Sequence, residues 1–268
     1  MSGAKAQRAV ELHAEDRAVR NRVVKLGRGW LNGTEAFDAL ARLLVRLERD
    51  GFRPWVVHGG GDELARVCAR LDAARPRELG LHITSTRSME VATMVTCGLV
   101  NARLVAALGA RGLSAFGLNG ADCAIMRSRF LNQPRLGRVG GPPKIDLSGL
   151  QPLVDARDTI PVVASVCLGP DDDLLDVDAD SVAQALAVAL GASALDFVTD
   201  VDAIFSNDAP LQRVSAERLD DLAASAEIDG GMIHKLQAIA AALEGGVRQV
   251  RVGSIHSLVS GDCTWLHA

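Results

Sequence analysis

The chain has 268 residues, 48% hydrophobic and 23% charged: enough for one large α/β domain or two smaller ones, and too apolar for wholesale disorder. Its 29 Lys and Arg against 33 Asp and Glu give a formal net charge of −4 with no long basic run, which argues against sequence-independent binding of nucleic acid. Aromatic residues make up 3% and Tyr is absent, so stacking surfaces are scarce, whereas 26 Gly indicate either ordinary turns or loops where the backbone approaches a ligand closely.

Ala4 to Asn21 reads as a short charged helix with no apolar stretch of signal-peptide type. No run of about 18 uncharged apolar residues follows, so no membrane span is expected. Arg22–Leu26 reads as a strand that enters Gly27-Arg28-Gly29. Thr34 is a plausible N-cap for a helix through Asp50, closed by Gly51, with Phe37, Leu40, Leu43, Leu44 and Leu47 in helical spacing. Pro54–Val57 is a short strand, followed by His58-Gly59-Gly60-Gly61 and a helix from Asp62 to about Leu71. This alternation of strand, loop and helix is the mark of a parallel sheet covered by helices.

Arg87 to Gly109 forms a long helical pattern, Ser114–Leu118 a strand, and the Gly/Pro-rich stretch from Asp122 to Ile145 a set of hairpins. Ile160–Ala164 is another strand, and the acidic turn Gly169–Asp173 marks the expected boundary between two lobes, 1–168 and 169–268. Beyond it a helix (Ala179–Leu190), a strand (Ala194–Val198), a helix (Met232–Leu243) and a strand (Gln249–Val252) continue the rhythm. The five Cys residues (Cys68, Cys97, Cys123, Cys167, Cys263) form no CxxC and no zinc-ligand cluster; buried, reduced thiols in a cytoplasmic protein are the plain expectation.

Neither GxxxxGK[ST] nor GxGxxG is present, so P-loop and dinucleotide fingerprints are unsupported. Two glycine turns remain, each after a strand, where open α/β sheets place their ligands. Gly59-Gly60-Gly61 opens a helix, so its N–H groups make an anion site; Gly27-Arg28-Gly29 lies beside the point charge of Lys25. Each is also what a tight β-to-α turn requires. Gly230-Gly231-Met232-Ile233-His234-Lys235 enters a helix with Lys235 in its first turn, where a cation opposes the helix dipole unless an anion is present. Asp176-Val177-Asp178-Ala179-Asp180 sets three carboxylates before a helix; Asp180 either caps it or positions two lysines or a magnesium ion. Lysines, glycine nests and a carboxylate without an evident nucleophile suit phosphoryl transfer, where positioning and charge neutralisation do nearly all the work.

Val-Val-Lys-Leu-Gly at 23–27, Val-His-Gly-Gly-Gly at 57–61, Gly-Leu-His-Ile-Thr at 80–84, Val-Asn at 100–101, Ala-Asp-Ser-Val-Ala at 179–183, Thr-Asp-Val at 199–201 and Gly-Gly-Met-Ile-His-Lys-Leu at 230–236 keep an order and spacing that resemble the amino acid kinase family, and within it the acetylglutamate kinase branch. The resemblance implies an αβα sandwich with a mainly parallel open sheet, two lobes around one cleft, and a homodimer. The N-terminal lobe would bind the acceptor and the C-terminal lobe ATP. The implied reaction moves the γ-phosphate of MgATP to the side-chain carboxylate of N-acetyl-L-glutamate, as in arginine biosynthesis. Lys25 and Lys235 would neutralise the phosphoryl group, Gly27, Gly60 and Gly61 would donate N–H bonds to it, and Asp180 would hold the lysines. Thr199, Asp200, Val201, Gly231 and Met232 would border the nucleotide; Gly59, His82 and Asp176 would meet the acceptor; no residue is expected to bind a metal directly.

Among the departures from the family pattern, three bear directly on the phosphate and acceptor sites. Arg28 stands where a second glycine is usual, His82 where an Arg grips the acceptor's free carboxylate, and Asp176 where an Asn holds its backbone. Arg to His loses a bidentate fork, and an amide replaced by a carboxylate loses a donor. They leave open another acceptor (a small carboxylate, carbamate, phosphonate or carrier-bound amino acid) or a non-catalytic nucleotide-binding regulatory relative.

Overall fold

The computed structural model describes residues 20–28, 33–78, 81–151, 158–206, 209–224 and 230–267. Its main strands are β1 (Arg20–Leu26), β2 (Phe52–His58), β3 (Ala115–Leu118), β4 (Ile160–Ala164), β5 (Val166–Leu168), β6 (Leu174–Val177), β7 (Ala194–Val198), β8 (Arg213–Ser215), β9 (Gln249–Gly253) and β10 (Thr264–His267). The main helices are α1 (Thr34–Arg49), α2 (Gly61–Arg70), α3 (Thr86–Gly109), α4 (Ala179–Ala189), α5 (Gly230–Glu244) and α6 (Ile255–Ser260).

Eight strands form one sheet in the order β8–β10–β9–β7–β1–β2–β4–β3, and every neighbouring pair is parallel except β9–β10. Parallel neighbours need long crossovers, which the helices supply. Because successive side chains alternate across a strand, β1 feeds two cores. Val23 joins Trp55, Val57 and Phe197 against Val182 and Leu186 of α4 and Leu236 and Ile239 of α5. Val24 and Leu26 join Val56 against Leu40 and Leu44 of α1, Leu64 of α2, Leu104 of α3 and Leu258 of α6. The result is the expected αβα sandwich. A buried charge cluster ties three adjacent strands together: Asp196 of β7 receives two hydrogen bonds each from Arg22 of β1 and Arg251 of β9, at 2.7–2.8 Å. Burial alone would raise the Asp196 pKa, but the two guanidiniums hold it down at about 2.

A second, five-stranded sheet runs Val139–Gly140, β6, β5, Met126–Arg127, Lys144–Ile145. The stretch expected as hairpins supplies three of these short strands, and Met126–Arg127 pairs antiparallel with Lys144–Ile145. The turn Gly169–Asp173, read as a lobe boundary, connects the antiparallel strands β5 and β6 within this sheet. The two sheets meet at Ser165, whose N–H donates to the His58 carbonyl (3.1 Å) and whose carbonyl accepts from the Val177 N–H (3.2 Å).

Several local expectations are corrected. Gly33, at φ +100°, holds the N-cap position of α1 and makes no side-chain cap, so Thr34 is the first helical residue. The helix over 86–109 is not uniform: Met94–Val100 is π-helical, inserting a wider turn. By length and composition alone it could cross a membrane, but Glu90 and Arg103 interrupt it and Met89, Val91, Val95, Val100, Leu104 and Leu108 are buried in the second core, as in the core helix of a globular protein. Cys123 is exposed and Cys97 partly so, unlike the buried Cys68, Cys167 and Cys263. The helix expected over Ala4–Asn21 lies outside the described residues apart from Arg20 and Asn21, which open β1; Gly29, Asn32 and Gly80 also lie outside them.

Candidate active site

Lys25 lies two residues after Val23, so it points into the layer of α4 and α5. There α4 begins with a division of labour. Asp178 caps the helix, its Oδ1 accepting from the N–H groups of Asp180 (2.9 Å) and Ser181 (3.2 Å). The Asp180 side chain does not cap. It takes Lys25 Nζ at 2.6 Å on Oδ1 and Lys235 Nζ at 2.9 Å on Oδ2. Of the two sequence readings of Asp180, the lysine-holding geometry is present. Lys235 sits in the second turn of α5, because the helix starts at Gly230 and packing overrides the low helix propensity of two glycines. The ring of Phe197 lies 4.9 Å from its Nζ.

Lys25, Asp180 and Lys235 are 9%, 6% and 8% exposed. Burial would raise the Asp180 pKa, but the lysines outweigh it and hold it at about 2; burial lowers that of Lys235 against the pull of Asp180. One carboxylate between two ammonium groups leaves a buried net charge of +1, which an anion would neutralise.

The glycine turns close on the same place. Gly60 is αR and Gly61 αL (φ +54°), the alternation that turns successive N–H groups into one concavity at the start of α2. A Cβ on Gly60 would stand 2.5 Å from Leu64 Cβ, and one on Gly59 only 3.5 Å from Ala179 Cβ, beside Asp180. Gly27 packs between strand ends: a Cβ there would be 2.5 Å from the Val198 carbonyl oxygen. Arg28 is exposed in the turn that follows. At the end of β7 the Thr199 N–H donates to Gly253 (2.9 Å) and its hydroxyl to the Val201 carbonyl (2.7 Å), while Asp200 and Val201 are exposed. Gly231 lies inside the first turn of α5, and Met232 is half-buried against the core. These residues occupy the carboxyl ends of β1, β2 and β7, where the chain order reverses direction across the sheet.

Beside this centre the structure gathers His82 and Asp176 with two residues the sequence reading did not single out. Arg75 pairs with Asp176, and Thr84 donates to the same carboxylate (3.2 Å). Asp176 has its pKa raised by burial against the opposing effects of Arg75 and Thr84. His82 is half-buried and Nδ1 donates to the Arg75 carbonyl (3.0 Å), so it supports the arginine's backbone; burial lowers its pKa. Arg75 Nε is buried and has no hydrogen-bond partner among the described residues. No sequence motif marks Arg75, which stands 101 positions from Asp176. Among the described residues, no three His, Cys, Asp or Glu converge in a way that could hold a metal ion.

Fold and site together define an α/β protein that holds two lysines on one carboxylate beside paired glycine turns. A family model described as the amino acid kinase family matches residues 21–254, and the chain belongs to that family. It is 38% identical over 232 residues to the acetylglutamate kinase of Acidobacterium capsulatum, covering 86% of this chain and 89% of that protein. An acetylglutamate kinase from Roseiflexus sp. is 35% identical, with 94% and 95% covered. Among solved structures, smu.665 from Streptococcus mutans superposes with a TM-score of 0.81 at 26% identity, covering 92% of this chain and 98% of that one. Giardia carbamate kinase shares the fold, at a TM-score of 0.69 and 13% identity, with 94% and 99% covered.

Proposed function

We propose that this chain is an ATP-dependent kinase that phosphorylates the side-chain carboxylate of N-acetyl-L-glutamate, giving an acyl phosphate for arginine biosynthesis. The observation that carries the reading is the Asp180 clamp on Lys25 and Lys235 beside the glycine turns. The similarity to acetylglutamate kinases over most of the chain supports the choice of acceptor.

In the reaction one acceptor carboxylate oxygen bonds to the γ-phosphorus as the bond to the β–γ bridging oxygen breaks, and ADP leaves. A carboxylate is already a nucleophile, so no enzyme base and no covalent enzyme intermediate are needed. Charge spreads over the three equatorial oxygens of the transferring group, and stabilising it is the main task. Lys25 and Lys235 meet that charge, held apart by Asp180, while the N–H groups of Gly27, Gly60 and Gly61 point at the same oxygens. Magnesium arrives as part of the substrate, MgATP. Thr199, Asp200, Val201, Gly231 and Met232 border the nucleotide, and Gly59, His82, Asp176 and Arg75 the acceptor. In this reading residues 1–168 bind the acceptor, with Asp176 reaching in from the other segment, and 169–268 bind ATP, in a cytoplasmic homodimer.

The test is direct: purified protein, MgATP and acetylglutamate with hydroxylamine to trap the acyl phosphate as a hydroxamate. Hydroxamate formation supports the reading; none at millimolar acceptor overturns it.

A further inference from the structure

One buried pair beside the phosphate turn has no part in the scheme above. His58, the last residue of β2, is 2% exposed, and both ring nitrogens are engaged. Asn101 Nδ2 lies 2.9 Å from His58 Nε2 and donates its other hydrogen to the Val162 carbonyl, also at 2.9 Å. An amide NH2 group only donates, so Nε2 accepts and carries no proton. The proton therefore sits on Nδ1, which lies 3.1 Å from the carbonyl oxygen of Gly59. That the ring stays neutral agrees with burial lowering its pKa to about 4.

The Gly59 carbonyl and the Gly60 N–H belong to one trans peptide plane and point in opposite directions. Holding the carbonyl on His58 therefore aims the N–H away from it, toward the mouth of the turn. The π-helical turn over Met94–Val100 contributes to the same end. It delivers Asn101, the first residue after it, to His58, and it brings Thr96 against Gly60, where an added Cβ would lie 2.8 Å from Thr96 Oγ1.

We infer that Asn101 and His58 are positioning residues that fix the direction of the Gly60 N–H toward the transferring phosphoryl group. The inference rests on the phosphoryl-transfer reading. The two fail separately, because wild-type turnover tests that reading and the pattern among variants tests this one.

The test compares two replacements of His58 in the full-length chain. H58N keeps a donor at the Nδ1 position for the Gly59 carbonyl, whereas H58Q keeps only a partner for Asn101 at the Nε2 position. A misaimed donor costs on the order of a hundredfold in rate, so H58Q is expected to lose kcat to that extent with the KM for ATP unchanged, and H58N to recover most of it. H58Q also loses affinity for ADP with aluminium fluoride, a mimic of the transferring group, but not for ATP. Gly117→Ala perturbs the pair from outside, since its Cβ would fall 1.7 Å from Asn101 Oδ1 and must displace that side chain. It is expected to lower kcat in the same way while the β3 edge strand keeps its fold. Equal losses in H58N and H58Q, or a loss that falls on the KM for ATP, overturn the inference.

Discussion

Asp178 caps α4 so that Asp180, two residues on, is free to hold Lys25 and Lys235. The two carboxylates look interchangeable along the chain, but substitution separates them. Asp178→Ala loses a helix cap worth about 1 kcal/mol. In a chain of this length that lowers the melting temperature by roughly 2–4 °C, with kcat little changed.

Asp180→Asn is the contrasting case. It leaves two buried ammonium groups without their shared carboxylate, and breaking a buried pair costs about 3–5 kcal/mol. Calorimetry is expected to show a large drop in stability, and the hydroxamate assay a kcat lowered by roughly a hundredfold or more.

Arg75→Met tests the acceptor side. It removes a guanidinium whose Nε has no hydrogen-bond partner among the described residues and leaves Asp176 without its cation. A charged hydrogen bond contributes about 1.5–3 kcal/mol, so the KM for the acceptor is expected to rise roughly ten- to a hundredfold while that for ATP stays put. An equal rise in both constants contradicts the placement of Arg75 in the acceptor pocket.

Stability against pH follows from His58. Its folded pKa is about 4 against an ordinary 6.5, so the neutral ring stabilises the fold fully above pH 6.5. That stability is lost as the pH falls from 6.5 toward 4, by about 3 kcal/mol. Asp180 and Asp196 behave differently: their pKa values of about 2 lie below the ordinary 3.8, so their stabilisation survives to pH 3.8 and is lost only below it. Urea midpoints measured from pH 8 to 3 are expected to decline in two stages, and H58N is expected to flatten the first.

Gly27→Ala would place a Cβ 2.5 Å from the Val198 carbonyl oxygen, which is backbone and cannot swing aside. The carboxyl ends of β1 and β7 must then part. A lowered melting temperature is expected together with weaker ATP binding by calorimetry.

The parts of the fold legible in the sequence are those with a local signature. Buried parallel strands such as Val23–Leu26 and Pro54–Val57 show as short apolar runs before glycine turns, and Lys25, Asp180 and Lys235 fall in motifs with fixed spacing. What escaped depends on distant or very short elements. Arg75 reaches Asp176 only through the fold. Strands of two residues such as Met126–Arg127 are too short for any period to register. The π-helical turn shifts the buried face, from Val95 to Val100 in one step of five, and leaves Met94 exposed, which α-helical spacing over Arg87 to Gly109 does not anticipate.

The Arg22–Asp196–Arg251 cluster has a reach beyond the strands it joins. Side chains alternate along β1, so a slip of one residue against β7 would exchange the faces of Lys25 and Leu26 and carry the lysine out of reach of Asp180. Arg22, three positions upstream on the opposite face, is anchored by charge to Asp196 and fixes the register that sets Lys25 in place. Asp196 is thus a vernier for the reaction: it touches no substrate, yet its loss would read in an assay like damage to the phosphoryl site.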